Sequence, residues 1–153
     1  MERVEISKMS VEKSFEFDAS HRLLNYDGAC KNLHGHRWKV AVSVSKPKHI
    51  KPPLTKEGFL FDFHDFKFFG EWLHETFDHA TIVNVHDEDL LEFVTKTKQK
   101  HYAMEGNPTV ENLSLEMLLK LRQSIFRNCH IVLSLWETPS SKLTLTSKVD
   151  EDV

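Results

Sequence analysis

Glycine and proline are scarce, five of each in 153 residues, which leaves no low-complexity or collagen-like tract and argues against a disordered chain. Cysteine is scarcer still. Cys30 and Cys129 lie far apart with no framework spacing, so a disulfide-stapled scaffold is excluded and a reducing cytoplasm is the expected setting. No charged-then-apolar leader precedes the first strand pattern, which points to the same compartment. No apolar run approaches the roughly 20 residues that a bilayer-crossing helix needs, so membrane insertion is not expected. Charge of one sign is also missing: 20 basic and 23 acidic side chains give a formal net charge of -3, spread without a dominant block, and a nucleic-acid groove is not favoured.

What is present is a core and a set of histidines. Forty per cent of the residues are hydrophobic, with 11 Phe and 3 Trp. A chain of this length is expected to form one domain over 1–153 and to bury about two thirds of the surface its unfolded form exposes. Ten residues are His. Three of them, His21, His34 and His36, cluster around Cys30 in a short stretch of chain.

Residues 11 to 21 alternate, with Phe15, Phe17, Ala19 and His21 facing one way and Glu16, Asp18 and Ser20 the other, as in a half-buried strand. Asn25, Asp27 and Gly28 mark a turn. A second alternation runs from His34 through His36, Trp38, Val40, Val42 and Val44, with Arg37, Lys39, Ser43 and Ser45 on its other face. Both strands carry histidine at the end of an apolar row. Residues 46–53 read as a loop. Asp62 is a candidate helix N-cap with Asp65 in the first turn, ahead of Phe66, Phe69, Leu73 and Phe77 at helical spacing.

The stretch 85–106 is charged and weakly periodic, and is expected to be an insertion or long loop with room for a short helix. A second helix opens near Asn107-Pro108-Thr109, with Val110, Leu113, Met117, Leu118, Leu121 and Ile125 as its apolar stripe. Residues 130–137 and 142–147 alternate around a turn at 138–141 and predict a closing hairpin. The resulting order, ββααββ, implies an α+β fold: an antiparallel sheet covered on one face by two helices.

Histidines two apart on a strand point to one side, so His34 and His36 can share a metal ion, and His21 ends the neighbouring strand. Three neutral imidazoles with an open fourth position suit catalytic zinc, although such histidines can equally be ordinary core or surface residues. Cys30 has three readings: a fourth ligand closing a structural site, a thiolate base beside the metal, or a buried free thiol. Cys129, at a strand entry, reads as a buried thiol. Asp78-His79 ends the first helix, where a carboxylate can fix an imidazole's tautomer. Glu111 reads first as a first-turn acid. Glu137 lies on the inward row after Leu133 and Leu135, where a carboxylate is costly without a partner.

Taken together, several segments resemble the 6-pyruvoyltetrahydropterin synthase and 6-carboxytetrahydropterin synthase family. They are 17–23 (Phe-Asp-Ala-Ser-His-Arg-Leu), 30–36 (Cys-Lys-Asn-Leu-His-Gly-His), Asp62-Phe63 with Phe66-Lys67, Phe77-Asp78-His79, 107–112 (Asn-Pro-Thr-Val-Glu-Asn) and Glu137-Thr138. They follow the family's order along nearly the whole chain. The resemblance implies the tunnelling fold, in which ββααββ subunits join into a twelve-stranded barrel as trimers that stack into a homohexamer, with active sites between subunits.

It also implies a zinc-dependent carbon-carbon and carbon-oxygen lyase acting on a reduced pterin triphosphate, 7,8-dihydroneopterin triphosphate. By motif position His21, His34 and His36 would hold Zn2+, Cys30 would be the base, and Asp78 with His79 the proton relay. Glu137 would anchor the pterin, helped by Glu111 and Thr109. Arg22, Lys31 and Lys39 are candidates for the triphosphate by charge. Three residues separate Cys30 from His34, which is similar to the carboxy-forming enzymes of the queuosine and 7-deazaguanine pathway, whereas animal pyruvoyl enzymes carry a longer gap. The favoured product is therefore 6-carboxy-5,6,7,8-tetrahydropterin with release of acetaldehyde. Two alternatives stand beside it, a 6-pyruvoyltetrahydropterin synthase and a non-catalytic zinc- and pterin-binding scaffold. The chain departs from the family pattern after His79, where the loop is one residue longer, and in the length of 85–106.

Overall fold

A computed structural model describes residues 6–48, 50 and 54–150. The expected loop at 46–53 and the ends of the expected 1–153 domain lie partly outside the described residues.

The two alternating segments form β1 (Val11–His21) and β2 (His34–Ser45). They pair antiparallel with Phe17 opposite Trp38, Ala19 opposite His36 and His21 opposite His34. Directly opposed residues share a face, so the hairpin carries its histidines and its apolar row to one side. Asp62 caps the next element: its carboxylate accepts from the His64 amide at 2.8 Å while its own amide donates to Asp65 at 3.1 Å. This reciprocal cap opens a short 3-10 turn, Phe63–Phe66, that leads into α1 (Lys67–Thr76).

The stretch from Ala80 departs in part from the expectation. Residues 80–84, which carried no expectation, form a strand, and 85–106 holds the anticipated short helix and an unexpected strand: β3 (Ala80–Asn84), α2 (Glu88–Lys96) and β4 (His101–Met104). β3 lies parallel to β1, and β4 parallel to β3. The sheet is therefore mixed rather than purely antiparallel, since two parallel strands need a crossover and α2 supplies it. The chain then forms α3 (Val110–Arg122), β5 (His130–Thr138) and β6 (Ser141–Ser147). Thr109 is the cap of α3, its hydroxyl accepting from the Asn112 amide at 3.3 Å, and Pro108 precedes the cap rather than starting the helix. The six strands run in the order β4-β3-β1-β2-β5-β6.

Packing explains which face is dry. Phe17, Trp38, Val40, Val42, Leu133 and Leu135 meet Phe69 and Leu73 of α1 and Leu113, Met117 and Leu121 of α3 in one cluster. Burying a side chain such as Leu133 or Phe69 fully contributes about 1.5–3 kcal/mol. These two helices cover one face as expected. The third does not: Ile82 joins the main cluster while its neighbour Val83 packs on Leu90 and Val94 of α2. Successive strand residues point to opposite faces, so α2 covers the other side of β3. The rest of that side, across β1, β2, β5 and β6, carries polar side chains such as Glu16, Lys39 and Lys142. Among the described residues, no helix is long and apolar enough to cross a membrane.

Candidate active site

The end of the β1–β2 hairpin brings the three histidines together. One nitrogen from each of His21, His34 and His36 lies within 4.8 Å of the others. Their rings sit 4.7, 5.2 and 4.8 Å apart by centroid, and Trp38 packs edge-on against His21 and His36. Trp38 is held in turn by a hydrogen bond from its indole N–H to the Ala19 carbonyl at 3.2 Å.

Backbone carbonyls orient two of the rings. His21 Nδ1 lies 2.7 Å from the Pro108 carbonyl, and His34 Nδ1 lies 2.7 Å from that of Asn32. A carbonyl only accepts, so each Nδ1 carries the proton and each Nε2 is left with a free lone pair. The Nε2 atoms of His21 and His36 are buried and have no hydrogen-bond partner. Burial pushes the pKa of both imidazoles below the usual histidine value, against the opposing pull of the Glu137 carboxylate. Neutral imidazoles with converging, unsatisfied nitrogens are what a soft-to-borderline divalent cation requires. The three histidines can hold a metal ion.

Glu137 belongs to this cluster. Its Oε1 is 3.4 Å from His21 Nε2 and 3.9 Å from His36 Nε2. A shift in register between Trp136 and Thr138 marks a bulge there, the usual device for re-aiming a side chain at a strand end. The carboxylate is less buried than its sequence position suggested, at 28 % exposure, so it stands beside the histidines and remains open to solvent.

The other expected residues are placed differently. Cys30 is a half-buried free thiol in the 3-10 turn Ala29–Lys31, close in sequence to the histidines but outside their nitrogen cluster. The reading as a fourth ligand is not the one the fold favours. Cys129 is buried, and burial raises its thiol pKa. Asp78 accepts the Asp18 amide at 3.0 Å through one oxygen and contacts His79 Nδ1 at 3.0 Å and His74 Nδ1 at 3.2 Å through the other. The Asp18 amide, then His79, hold its carboxyl below the ordinary range.

His79 adopts a left-handed backbone, φ 58°, which costs a non-glycine residue on the order of 1–2 kcal/mol; its amide donates to the Asp18 carbonyl at 2.7 Å, which holds it there. His79 borders a cavity of about 520 Å³ with Asp18, Ser20, Arg37 and Thr81, and with His36 at its edge. The side chains of Asp18, Ser20, Arg37 and Thr81 alternate away from the histidine rings, and among the described residues no hydrogen bond or ion pair joins Asp78 or His79 to the three histidines. One chain thus brings together His21, His34, His36 and Glu137, and sets Asp78 with His79 on the opposite face. Thr109 caps α3 directly after Pro108, while Glu111 is exposed in its first turn.

Several contacts that sequence reasoning did not foresee support the site. Asn107 exchanges two hydrogen bonds with the Leu24 backbone at 2.8 and 3.0 Å and accepts from Asn84 at 3.1 Å, which ties the loop after His21 to β3 and to the start of α3. Arg22 donates to Asp87 through Nε at 2.6 Å and Nη2 at 2.5 Å. That guanidinium holds the Asp87 carboxyl below its ordinary range. The sequence signal for Asn107 was the Asn-Pro step before α3, and Arg22 stood out by its charge as a triphosphate candidate; Arg22 and Asp87 are too far apart along the chain to suggest a pair.

Comparison with known proteins agrees with this geometry. The family model described as 6-pyruvoyl tetrahydropterin synthase matches residues 10–148. A protein of Rickettsia conorii named 6-carboxy-5,6,7,8-tetrahydropterin synthase is 32% identical over 133 residues, 84% of this chain and 93% of its own. One of the same name from Haemophilus influenzae is 28% identical over 86% of this chain and 94% of its own. Among solved structures, an uncharacterized protein of Wolinella succinogenes superposes with a TM-score of 0.77 at 19% identity, over 92% of this chain and 99% of its own. The 6-pyruvoyl tetrahydropterin synthase of Plasmodium falciparum does so at 0.65 and 18%, with the same coverage. The α+β tunnelling fold that the motifs implied is the one this chain has, and the chain belongs to the 6-pyruvoyl tetrahydropterin synthase family.

Proposed function

We propose that the protein is a zinc-dependent lyase converting 7,8-dihydroneopterin triphosphate to 6-carboxy-5,6,7,8-tetrahydropterin, with release of acetaldehyde and triphosphate. The observation that carries this reading is the pair of buried, partnerless Nε2 atoms of His21 and His36, set against Glu137, in a chain whose relatives bear that enzyme's name. Zinc suits three neutral imidazoles and, when bound, supplies Lewis acidity that eases removal of protons beside an oxygen it polarises.

The chain's own groups then divide the work. Glu137 accepts the 2-amino and N3 hydrogens of the pterin, two donors that match the two oxygens of one carboxylate. Its contact with His21 and His36 makes the pterin anchor contiguous with the metal site. Thr109 and Glu111, at the start of α3, border the same end of the sheet and assist that anchor. Cys30 removes a proton from a side-chain carbon, and His79 moves the proton that reaches the ring. Asp78 fixes the tautomer of His79 from 3.0 Å.

Because Asp78 and His79 open on the face opposite the histidines, the full constellation forms between copies, and we take the working assembly to be a homohexamer. Two free thiols suit the cytoplasm. The family model and the Plasmodium structure carry the name of the pyruvoyl-forming enzyme, so the second reading is elimination of triphosphate from the same substrate to give 6-pyruvoyltetrahydropterin.

Incubation of the zinc-loaded protein with 7,8-dihydroneopterin triphosphate, read by mass spectrometry, separates these. Acetaldehyde with the carboxy pterin is the expected outcome. Triphosphate release without acetaldehyde would establish the pyruvoyl reaction, and no turnover with zinc in place would leave a binding protein.

A further inference from the structure

Charge alone offered Arg22, Lys31 and Lys39 for the triphosphate, and the fold separates the three. The Arg22 guanidinium is closed on Asp87 by two hydrogen bonds. Lys31 borders a different cavity, formed by the loop after β1. Arg37, on the same sheet face as Lys39, is closed on Asp18 by two bonds of 3.0 Å. Lys39 is left.

The register sets Glu16, Lys39, Trp136 and Lys142 directly opposite one another across β1, β2, β5 and β6. Their side chains therefore form one row on the face away from α1 and α3. The Lys39 ammonium stands 5.1 Å from the centroid of the Trp136 ring and the Lys142 ammonium 4.8 Å from it. Among the described residues, no carboxylate lies within ion-pair distance of either ammonium, Glu16 included. Two cations drawn from neighbouring strands onto one ring repel each other, and the ring's negative face offsets that only in part. An anion laid against the row would relieve it and gain two charge-assisted donors.

The position is equally specific. Lys39 and Trp136 line a cavity of about 550 Å³ together with His36, Glu137 and Thr138. This cavity gives a ligand held at Glu137 access to the row. We propose that Lys39 and Lys142, on either side of Trp136, form a polyphosphate subsite that receives the triphosphate of the substrate. This deepens the lyase reading and rests on it for the identity of the ligand.

The test uses inorganic tripolyphosphate as a probe, titrated calorimetrically into the zinc-loaded protein and into a Lys39→Met/Lys142→Met variant, which keeps the side-chain stems and removes both charges. Zinc content and circular dichroism check that the variant folds. The parent is expected to bind the probe, the variant to bind it on the order of tenfold more weakly or worse, and the difference to shrink in high salt. Lys39→Arg/Lys142→Arg should restore most of the affinity, and the KM for 7,8-dihydroneopterin triphosphate should rise in the Met variant by a similar factor. Absence of probe binding to the parent, or equal binding to parent and variant, overturns the subsite. Normal turnover with an unchanged KM in the variant also removes the subsite and leaves the lyase reading intact. Lysine-dependent probe binding by a protein that turns over no pterin triphosphate removes the lyase reading and keeps the subsite.

Discussion

Replacing Asp87 should destabilise the fold more than any other single change outside the hydrophobic cluster. Its side chain is 2% exposed and serves two partners, the Arg22 guanidinium at 2.6 and 2.5 Å and the Leu90 amide at the start of α2, 3.2 Å away. Breaking a buried ion pair from one side costs about 3–5 kcal/mol. Arg22 is 29% exposed and regains some water, which places the loss at the lower end of that range. Loss of the helix cap adds about 1 kcal/mol. Because the two effects share one side chain they overlap, and Asp87→Ala should cost about 3–4 kcal/mol. With an m-value of about 2 kcal/mol/M for a chain of this size, the urea midpoint should fall by about 1.5–2 M.

Asp87→Asn keeps an acceptor for Leu90 and should lose less. The double variant Arg22→Met/Asp87→Ala should recover part of the deficit, since removing both charges leaves neither stranded. The pair also has a pH signature. The folded-state pKa of Asp87 is depressed by Arg22, so its stabilisation is complete above the ordinary aspartate value of about 3.9 and is lost as pH falls below that through the lowered value. Unfolding curves of parent and Asp87→Asn should therefore converge in strong acid. An Asp87→Ala midpoint indistinguishable from the parent, or no coupling in the double-mutant cycle, would refute the reasoning.

Three further outcomes follow from the site. His36→Ala should leave the chain folded and reduce bound zinc, measured by atomic emission, to near background, because two imidazoles cannot hold what three do. The metal-free protein should weaken in mild acid: burial holds the folded pKa values of His21 and His36 below the usual 6.5, so unfolded histidines bind protons first. Stability is then full above about 6.5 and falls as pH drops through the lowered values, which urea titrations at several pH values would reveal. Cys30→Ala should lower turnover about a hundred- to ten-thousand-fold while zinc content is unchanged; parent-like turnover would remove Cys30 from the role of base.

How much of this was legible beforehand depends on whether the signal was local. The alternation of β1 and β2 is a property of neighbouring residues, so it predicted both strands, their inward rows and the convergence of His21, His34 and His36. The same holds for the Asp62 cap, the start of α3 near residues 107–109 and the closing hairpin. β3 escaped because Ile82 and Val83 are both buried, one on each side of the sheet, and a strand covered on both faces has no alternation to read. With β3 unread, the stretch after it looked like a loop, and the parallel pairings went unseen.

The amino-acid order by itself determined the three histidines that can hold a metal ion, the caps, the apolar rows and the family to which the motifs point. Tertiary structure decided everything that depends on which distant residues share a face. It joined Arg22 to Asp87 and Asn107 to Leu24, turned Glu137 onto the histidines through a bulge, and put Asp78 with His79 on the far side of the sheet. It also aligned Lys39, Trp136 and Lys142 in one row. Periodicity states only that a side chain points up or down from its own strand; which strand lies beside it, in what register, is settled by how the whole core closes.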